Sequence, residues 1–205
     1  MRVVVDNGPL DFARGEPARQ RNRAAGRRTK MAATISLRTA TAADAPALHA
    51  LIAAHLEEGR LLPRSLDELT VHAPRFVVAV EQSADSERIV GCAELAPLSQ
   101  SVAEVRSLVV DRNARRLGLG QQMVEALSSR ARREGYEKLC AFAHEPRFFV
   151  HRGFSIVPHT WVPEKIAHDC NTCPLFRNCG QYAVVFDLDR STMPVTQVGA
   201  RLNRR

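Results

Sequence analysis

The 205-residue sequence has no apolar run near the roughly 18–20 residues that cross a bilayer, and no apolar signal core at its N-terminus. It is therefore expected to have no membrane partner and to work in the cytoplasm. Cysteine is scarce: five residues are too few and too clustered for a secreted disulfide scaffold. There is no G-x-G-x-x-G with an acid about 20 residues on, and no G-K-[ST], so neither the dinucleotide fingerprint nor the Walker loop is present. Internal repeats and low-complexity segments are also missing.

The net charge of +7 sits at the ends. Residues 1–30 carry +5, residues 191–205 carry +3 with no acid, and residues 31–190 carry −1. A basic face for nucleic acid is therefore not expected on the folded part. The division expected is a basic, disordered extension over 1–33, one domain over 34–190 and a basic tail over 191–205. The extension is Arg-rich and acid-poor like a transit peptide but contains no serine, and Met31 offers an alternative start.

Thr34–Thr39 alternates as a strand. Asp44 before Ala45-Pro46 is placed to cap a helix carrying Leu48, Leu51, Ile52 and Leu56, with Gly59 to stop it. Ser65 caps a second short helix, with Glu68 at the capping-box position. Phe76–Val80 and Ile89–Leu95 read as a hairpin around a polar loop, 82–88. Val102–Val110 is the next strand. The helix after Gly120 puts Met123, Val124, Leu127 and Ala131 on one face, and Gly135 stops it. Leu139–Ala143, a short helix over Pro146–Arg152, Phe154–Val157 and Tyr182–Leu188 follow. Strands alternating with helices make the class α/β or α+β, with a mixed sheet.

The stretch Glu104–Arg133 organises the rest: an apolar strand, then Arg115-x-x-Gly118-x-Gly120, then an amphipathic helix. A helix N-terminus offers unpartnered N–H groups and the positive end of the dipole, and glycines let the backbone come close to a phosphate. By itself the motif could equally be a tight turn. With two strands and a helical pair before it, and a strand and short helix ending in Arg-Gly-Phe after it, the chain resembles the GNAT superfamily of N-acetyltransferases over roughly residues 34–189. The stretches 61–69, 103–111, 145–154 and 163–179 are similar to the short single-domain amino-acid N-acetyltransferases related to N-acetylglutamate synthase.

That resemblance implies a mostly antiparallel GNAT sheet flanked by helices, acetyl-CoA as acetyl donor, and direct transfer to the α-amine of an amino acid, glutamate first, at the entry to arginine biosynthesis. It implies Glu104 as general base, although an outward-facing ion pair would explain that residue too. The backbone of Leu108, Val109 and Val110 would run beside the pantetheine arm, and Arg115, Arg116, Leu117, Gly118, Leu119, Gly120 and Gln121 would hold the pyrophosphate. Many relatives place a tyrosine acid where this chain has Phe149, leaving His144 and His151 as nearby alternatives. A dicarboxylate acceptor calls for cations, and Arg64, Arg106 and Lys165 are the candidates. Arg106 shares a strand face with Glu104.

His168-x-Cys170-x-x-Cys173-x5-Cys179 has zinc-ligand types, and equally suits half-buried thiols or a redox pair; Cys92 and Cys140 read as core. Two other functions stay open. One is a GNAT acting on a protein N-terminus, a lysine or a polyamine; the other is a non-catalytic binder using the basic tails. A homodimer is open as well.

Overall fold

The computed structural model describes residues 34–56, 61–83 and 86–188. The extension through residue 33, Gly59, Arg60 and the tail from residue 191 lie outside the described residues. The strands are β1 (Thr34–Thr39), β2 (Phe76–Ser83), β3 (Ser86–Pro97), β4 (Val102–Val110), β5 (Lys138–Ala143), β6 (Ser155–Val157) and β7 (Tyr182–Asp187). The α-helices are α1 (Ala45–Ala53), α2 (Leu66–His72), α3 (Leu119–Arg133), α4 (Arg147–Val150) and α5 (Pro163–His168).

The strands form one sheet in the order β1-β2-β3-β4-β5-β7-β6, antiparallel throughout except where β4 meets β5. Alternate residues of β2 enter two different cores, because strand side chains point to opposite faces in turn. Val77 and Ala79 pack with Met123, Val124, Leu127 and Ala131 of α3. Phe76, Val78 and Val80 pack with Leu48, Leu51 and Ile52 of α1 and Leu69 of α2. Each face of the sheet therefore carries its own helical layer. A third cluster (Val102, Cys140, Phe142, Val162 and Ala183) fills the far half of the α1/α2 face.

Strand β4 contains a bulge. Between the pairs Cys92↔Val109 and Glu94↔Arg106 it has one residue more than β3, and Ser107 there adopts φ 46°. The extra residue reverses the alternation. Ala103 and Val105 face the α3 core before the bulge, and Leu108 and Val110 face it after. Glu104 and Arg106 consequently face the other way, toward α1, α2 and α5. Beside this, β5 pairs with β4 only at Val102, Ala103 and Glu104, so the two parallel strands part just where the bulge begins.

Three local expectations are corrected. Asp44 makes no cap to α1: its carboxylate accepts from the Thr41 N–H (2.7 Å) and hydroxyl (3.0 Å) and pairs with Arg38 (2.8 Å), closing a 3-10 turn ahead of the helix. The Ser65 cap forms, its hydroxyl accepting from the Glu68 N–H at 3.1 Å, but the Glu68 carboxylate turns to Arg64 (2.8 Å) instead of closing the box. The β2–β3 hairpin takes in Gln82, Ser83 and Ser86 to Arg88, which were expected to loop. Glu81 pairs with Arg88 across it (3.1 Å), and Arg38 of β1 reaches Glu87 (2.8 Å). Cross-strand ion pairs let a solvent-facing hairpin end continue where apolar residues stop.

The Arg38 guanidinium is the main reason that the Asp44 carboxyl falls from 3.8 to about 2. A depressed carboxylate stabilises the fold fully above its unfolded value, and that stability is lost as pH falls through the folded one. Asp44→Asn is expected to cost about 1 kcal/mol near neutrality, a deficit that closes as pH falls from about 4 toward about 2. Urea midpoints measured across that range check it; a pH-independent deficit would contradict the ion-pair account.

Candidate active site

Helix α3 starts at Gly118, whose φ of 73° is left-handed and so suits glycine. No side chain caps this helix and its first turn has no acid, yet Leu119 and Gly120 are buried. Its first N–H groups have no acceptor within the helix, so a buried, uncapped start calls for an external acceptor, and the dipole favours an anion. A cavity of about 310 Å³ opens there. Its lining includes Val110, Arg115, Arg116, Gly118, Leu119, Gly120 and Gln121. These residues fit a phosphate group. Leu117 is 55% exposed and lies off the lining, while the side chains of Leu108 and Val109 belong to the two opposite cores. Those three can contribute only main chain.

Arg152, just ahead of Gly153-Phe154, belongs to the same cavity and was not singled out from sequence. Its guanidinium lies 3.7 Å from the Phe148 ring centroid and donates to Gln121 Oε1 at 3.3 Å and to the Phe148 carbonyl. Its Nε is buried with no hydrogen bond to a described residue, and burial lowers its pKa. A cation desolvated this way without a bonded acid is suited to an incoming anion.

Farther back on β4 lies a second centre. Glu104 is fully buried, its two oxygens 2.9 and 2.8 Å from Lys165 Nζ, with Arg106 Nε 2.5 Å from Oε2. Burial alone would raise the Glu104 pKa, but the charges of Lys165 and Arg106 overcome it and hold the carboxylate below its ordinary range. Burial pulls Arg106 down, and Glu104 and Asp169 outweigh that and raise it. Asp169 completes the group, accepting from Lys165 Nζ at 2.6 Å and from Arg106.

Alongside, Arg64 donates to Glu94 Oε2 (2.9 Å) and the Ser107 hydroxyl (3.2 Å) and pairs through Nε with Glu68. Arg64, Arg106, Lys165 and Asp169 all border one cavity of about 590 Å³. The three expected cations thus come together, but each is matched by an acid of the chain. Glu94 and Asp169 were missed. Glu94 sits within the apolar stretch Ile89–Leu95 of β3, and Asp169 beside a cysteine pattern.

Cys170, Cys173 and Cys179 line the same cavity. Among the described residues no group of three or more His, Cys, Asp or Glu is arranged to hold a metal, so the zinc alternative finds no ligand set. His168 turns its Nδ1 to Asp169 (2.7 Å), and burial raises the Cys170 thiol. Phe149 is buried edge-on to Phe148 and Phe154, both 5.1 Å between centroids, so this position supplies no acid. His151 borders the phosphate cavity and His144 packs beside Gly180.

The model of the acetyltransferase (GNAT) family matches residues 42–154. An uncharacterized N-acetyltransferase of Chlorobaculum tepidum is 30% identical over 75% of this chain and 97% of its own length. An amino-acid acetyltransferase of Neisseria meningitidis is 28% identical over 80% of this chain, which spans only 37% of that protein. Among solved structures, N-acetylglutamate synthase from Neisseria gonorrhoeae, complexed with coenzyme A and N-acetyl-glutamate, superposes with TM-score 0.65 at 26% identity. That match covers 76% of this chain and 35% of the synthase. Rv2747 from Mycobacterium tuberculosis shares the fold at TM-score 0.64 and 23% identity, over 74% of this chain and 98% of its own. With more than half its length matched by the family model, the chain belongs to the GNAT family of acetyltransferases.

Proposed function

We propose that this acetyltransferase uses acetyl-CoA to acetylate the α-amine of a free amino acid, with glutamate as the first acceptor to test. The observation that carries it is the disposition of two cavities along one strand. Val110 borders the phosphate cavity and Arg106 the cation-rich one. Four steps of strand, with the Ser107 bulge among them, separate them by up to about 13 Å. Over that interval β5 has left β4, so one edge of the backbone is free to lie against an extended ligand as an added strand would. Supporting the acceptor are the convergence of Arg64, Arg106 and Lys165 and the likeness to proteins whose names state amino-acid acetylation.

Acetyl-CoA supplies an activated acetyl thioester; the chain supplies position and proton transfer. Backbone N–H groups at the start of α3, with Arg152, hold the diphosphate end. Backbone N–H groups over Leu108 to Val110 would donate to the thioester carbonyl. Glu104 takes the proton from the acceptor's ammonium, directly or through water. Because its pKa is lowered, the carboxylate is ionised at any physiological pH, and the ammonium is the group that must lose a proton. Moving a proton from the acceptor's ammonium to a carboxylate held below its ordinary range is uphill, so the proton has to pass on to solvent as the amine attacks. Phe149 offers no proton, so the thiolate leaves as such or is protonated by solvent, a thiol's pKa being about 8.5.

Release of CoA, followed across a panel of free amino acids, N-terminal peptides, lysine and polyamines, tests the acceptor. Glutamate is expected to give the strongest signal, and no signal above background from it sinks this acceptor. In Glu104→Gln, kcat should fall by about 10²- to 10⁴-fold with the KM for acetyl-CoA nearly unchanged; thermal unfolding shows whether the variant folds, and unaltered turnover removes Glu104 from the base role. In the native enzyme kcat/KM should climb through the amine's pKa, with no inflection in the ordinary carboxylate range. Finally, Gly118→Ala and Arg152→Ala should each weaken CoA about tenfold in calorimetric titration, the first also losing about 1–2 kcal/mol of stability to its left-handed φ.

A further inference from the structure

Two carboxylates share Arg106 and Lys165, and they differ in kind. Glu104 lies beneath the cavity with no exposed surface. The Asp169 side chain is 29% exposed, borders the cavity, and rests one oxygen, Oδ2, on both cations at once. Among the described residues its other oxygen meets only His168, whose side chain is 53% exposed. Asp169 follows the last residue of α5, and its backbone N–H is already held by the Lys165 carbonyl at 3.0 Å. The carboxylate can therefore leave the cations by side-chain rotation, with the main chain held in place.

Charge gives that rotation a purpose. Glu104 and Asp169 balance Arg106 and Lys165, so the buried group is neutral. Adding a glutamate, whose two carboxylates outnumber its one ammonium, would leave an uncompensated negative charge in a desolvated site, which is strongly unfavourable. Exchanging it for Asp169 keeps the balance, and the same two cations that hold the aspartate are presented to the newcomer beside Glu104. Building on the amino-acid acceptor proposed above, we propose that Asp169 is a stand-in for the acceptor's carboxylate: it fills the carboxylate site on Arg106 and Lys165 until an acceptor displaces it.

Two consequences follow for specificity. An amine without a carboxylate has nothing to exchange, so a polyamine cannot open the site. An acceptor with a carboxylate competes against a tethered rival at high effective concentration, which raises its KM. Removing the rival should do the reverse. In Asp169→Asn the KM for the amino-acid acceptor should fall about tenfold, with the KM for acetyl-CoA as in the native enzyme, because the phosphate cavity is elsewhere.

A merely structural Asp169 would give the opposite sign, since its loss would disorder Lys165 and raise the acceptor KM. An acceptor KM unchanged or raised overturns the stand-in; should Asp169→Asn fail to fold, Asp169→Ala is read the same way. Thermal unfolding with glutarate, a dicarboxylate with no amine, separates this from the acceptor question. Glutarate should raise the melting temperature of the variant more than that of the native protein, and an equal or smaller rise overturns the proposal. If no free amino acid is acetylated, the proposed acceptor falls while the glutarate comparison still decides Asp169.

Discussion

A carboxylate with no exposed surface has to bring its counter-charge inside, and Glu104 imposes that requirement on the half of the molecule that follows it. Leaving such an ion unpaired costs several kcal/mol, a large fraction of the stability of a domain. One partner, Arg106, comes from the same strand two residues on. The other, Lys165, arrives from α5 after β5, α4 and β6 have been completed. The segment between β5 and β7 therefore has to fold back over the sheet, and in doing so it forms the wall of the larger cavity. Hydrophobic contacts assist, through Val162 against Phe142, Cys140 and Ala183. The ion pair fixes where that packing ends.

The bulge at Ser107 performs a second task with one residue. By reversing the alternation of β4 it lets Glu104 and Arg106 face one layer while Leu108 and Val110 enter the core under α3. The same strand then serves two sites on different sides of a single turn in parity. Parting of β4 from β5 exposes main chain between them. Neither device creates a site without the other. A regular strand with Glu104 and Arg106 so placed would turn Leu108 and Val110 away from the α3 core, and a fully paired one would have no edge to offer.

What the sequence made legible follows from the range of the interactions involved. The face of α3, the glycine at its start and the strands on either side rest on periodicity and on one backbone conformation, both local. The Asp44 error has a local cause too: Thr41 lies three residues earlier and offers both a hydroxyl and an N–H, so the aspartate turned backward. The pairing of Arg64 with Glu94 and of Lys165 with Glu104 spans 30 and 61 residues, and no pattern along the chain announces either. The candidate cations were recognisable because few Lys and Arg stand beside chemistry-bearing stretches. Their acids were not, since a buried glutamate in an apolar strand and an aspartate beside cysteines look incidental until the sheet brings them together.

Those acids change what a cluster of cations means. Three converging positive side chains suggest a pocket waiting for two negative charges, but Glu68, Glu94, Glu104 and Asp169 already answer them. Binding an anionic acceptor in such a place is an exchange of partners, and its selectivity depends on which internal carboxylate is easiest to move. Glu104 is enclosed and doubly held, and Glu94 is buried under Arg64; Asp169 alone among the acids on Arg106 and Lys165 has a solvent-facing side. An exchange through Asp169 leaves both cations with as many partners as before, so Glu104 stays ionised while the acceptor's ammonium comes within reach. Recognition and proton transfer would in this way draw on the same two cations.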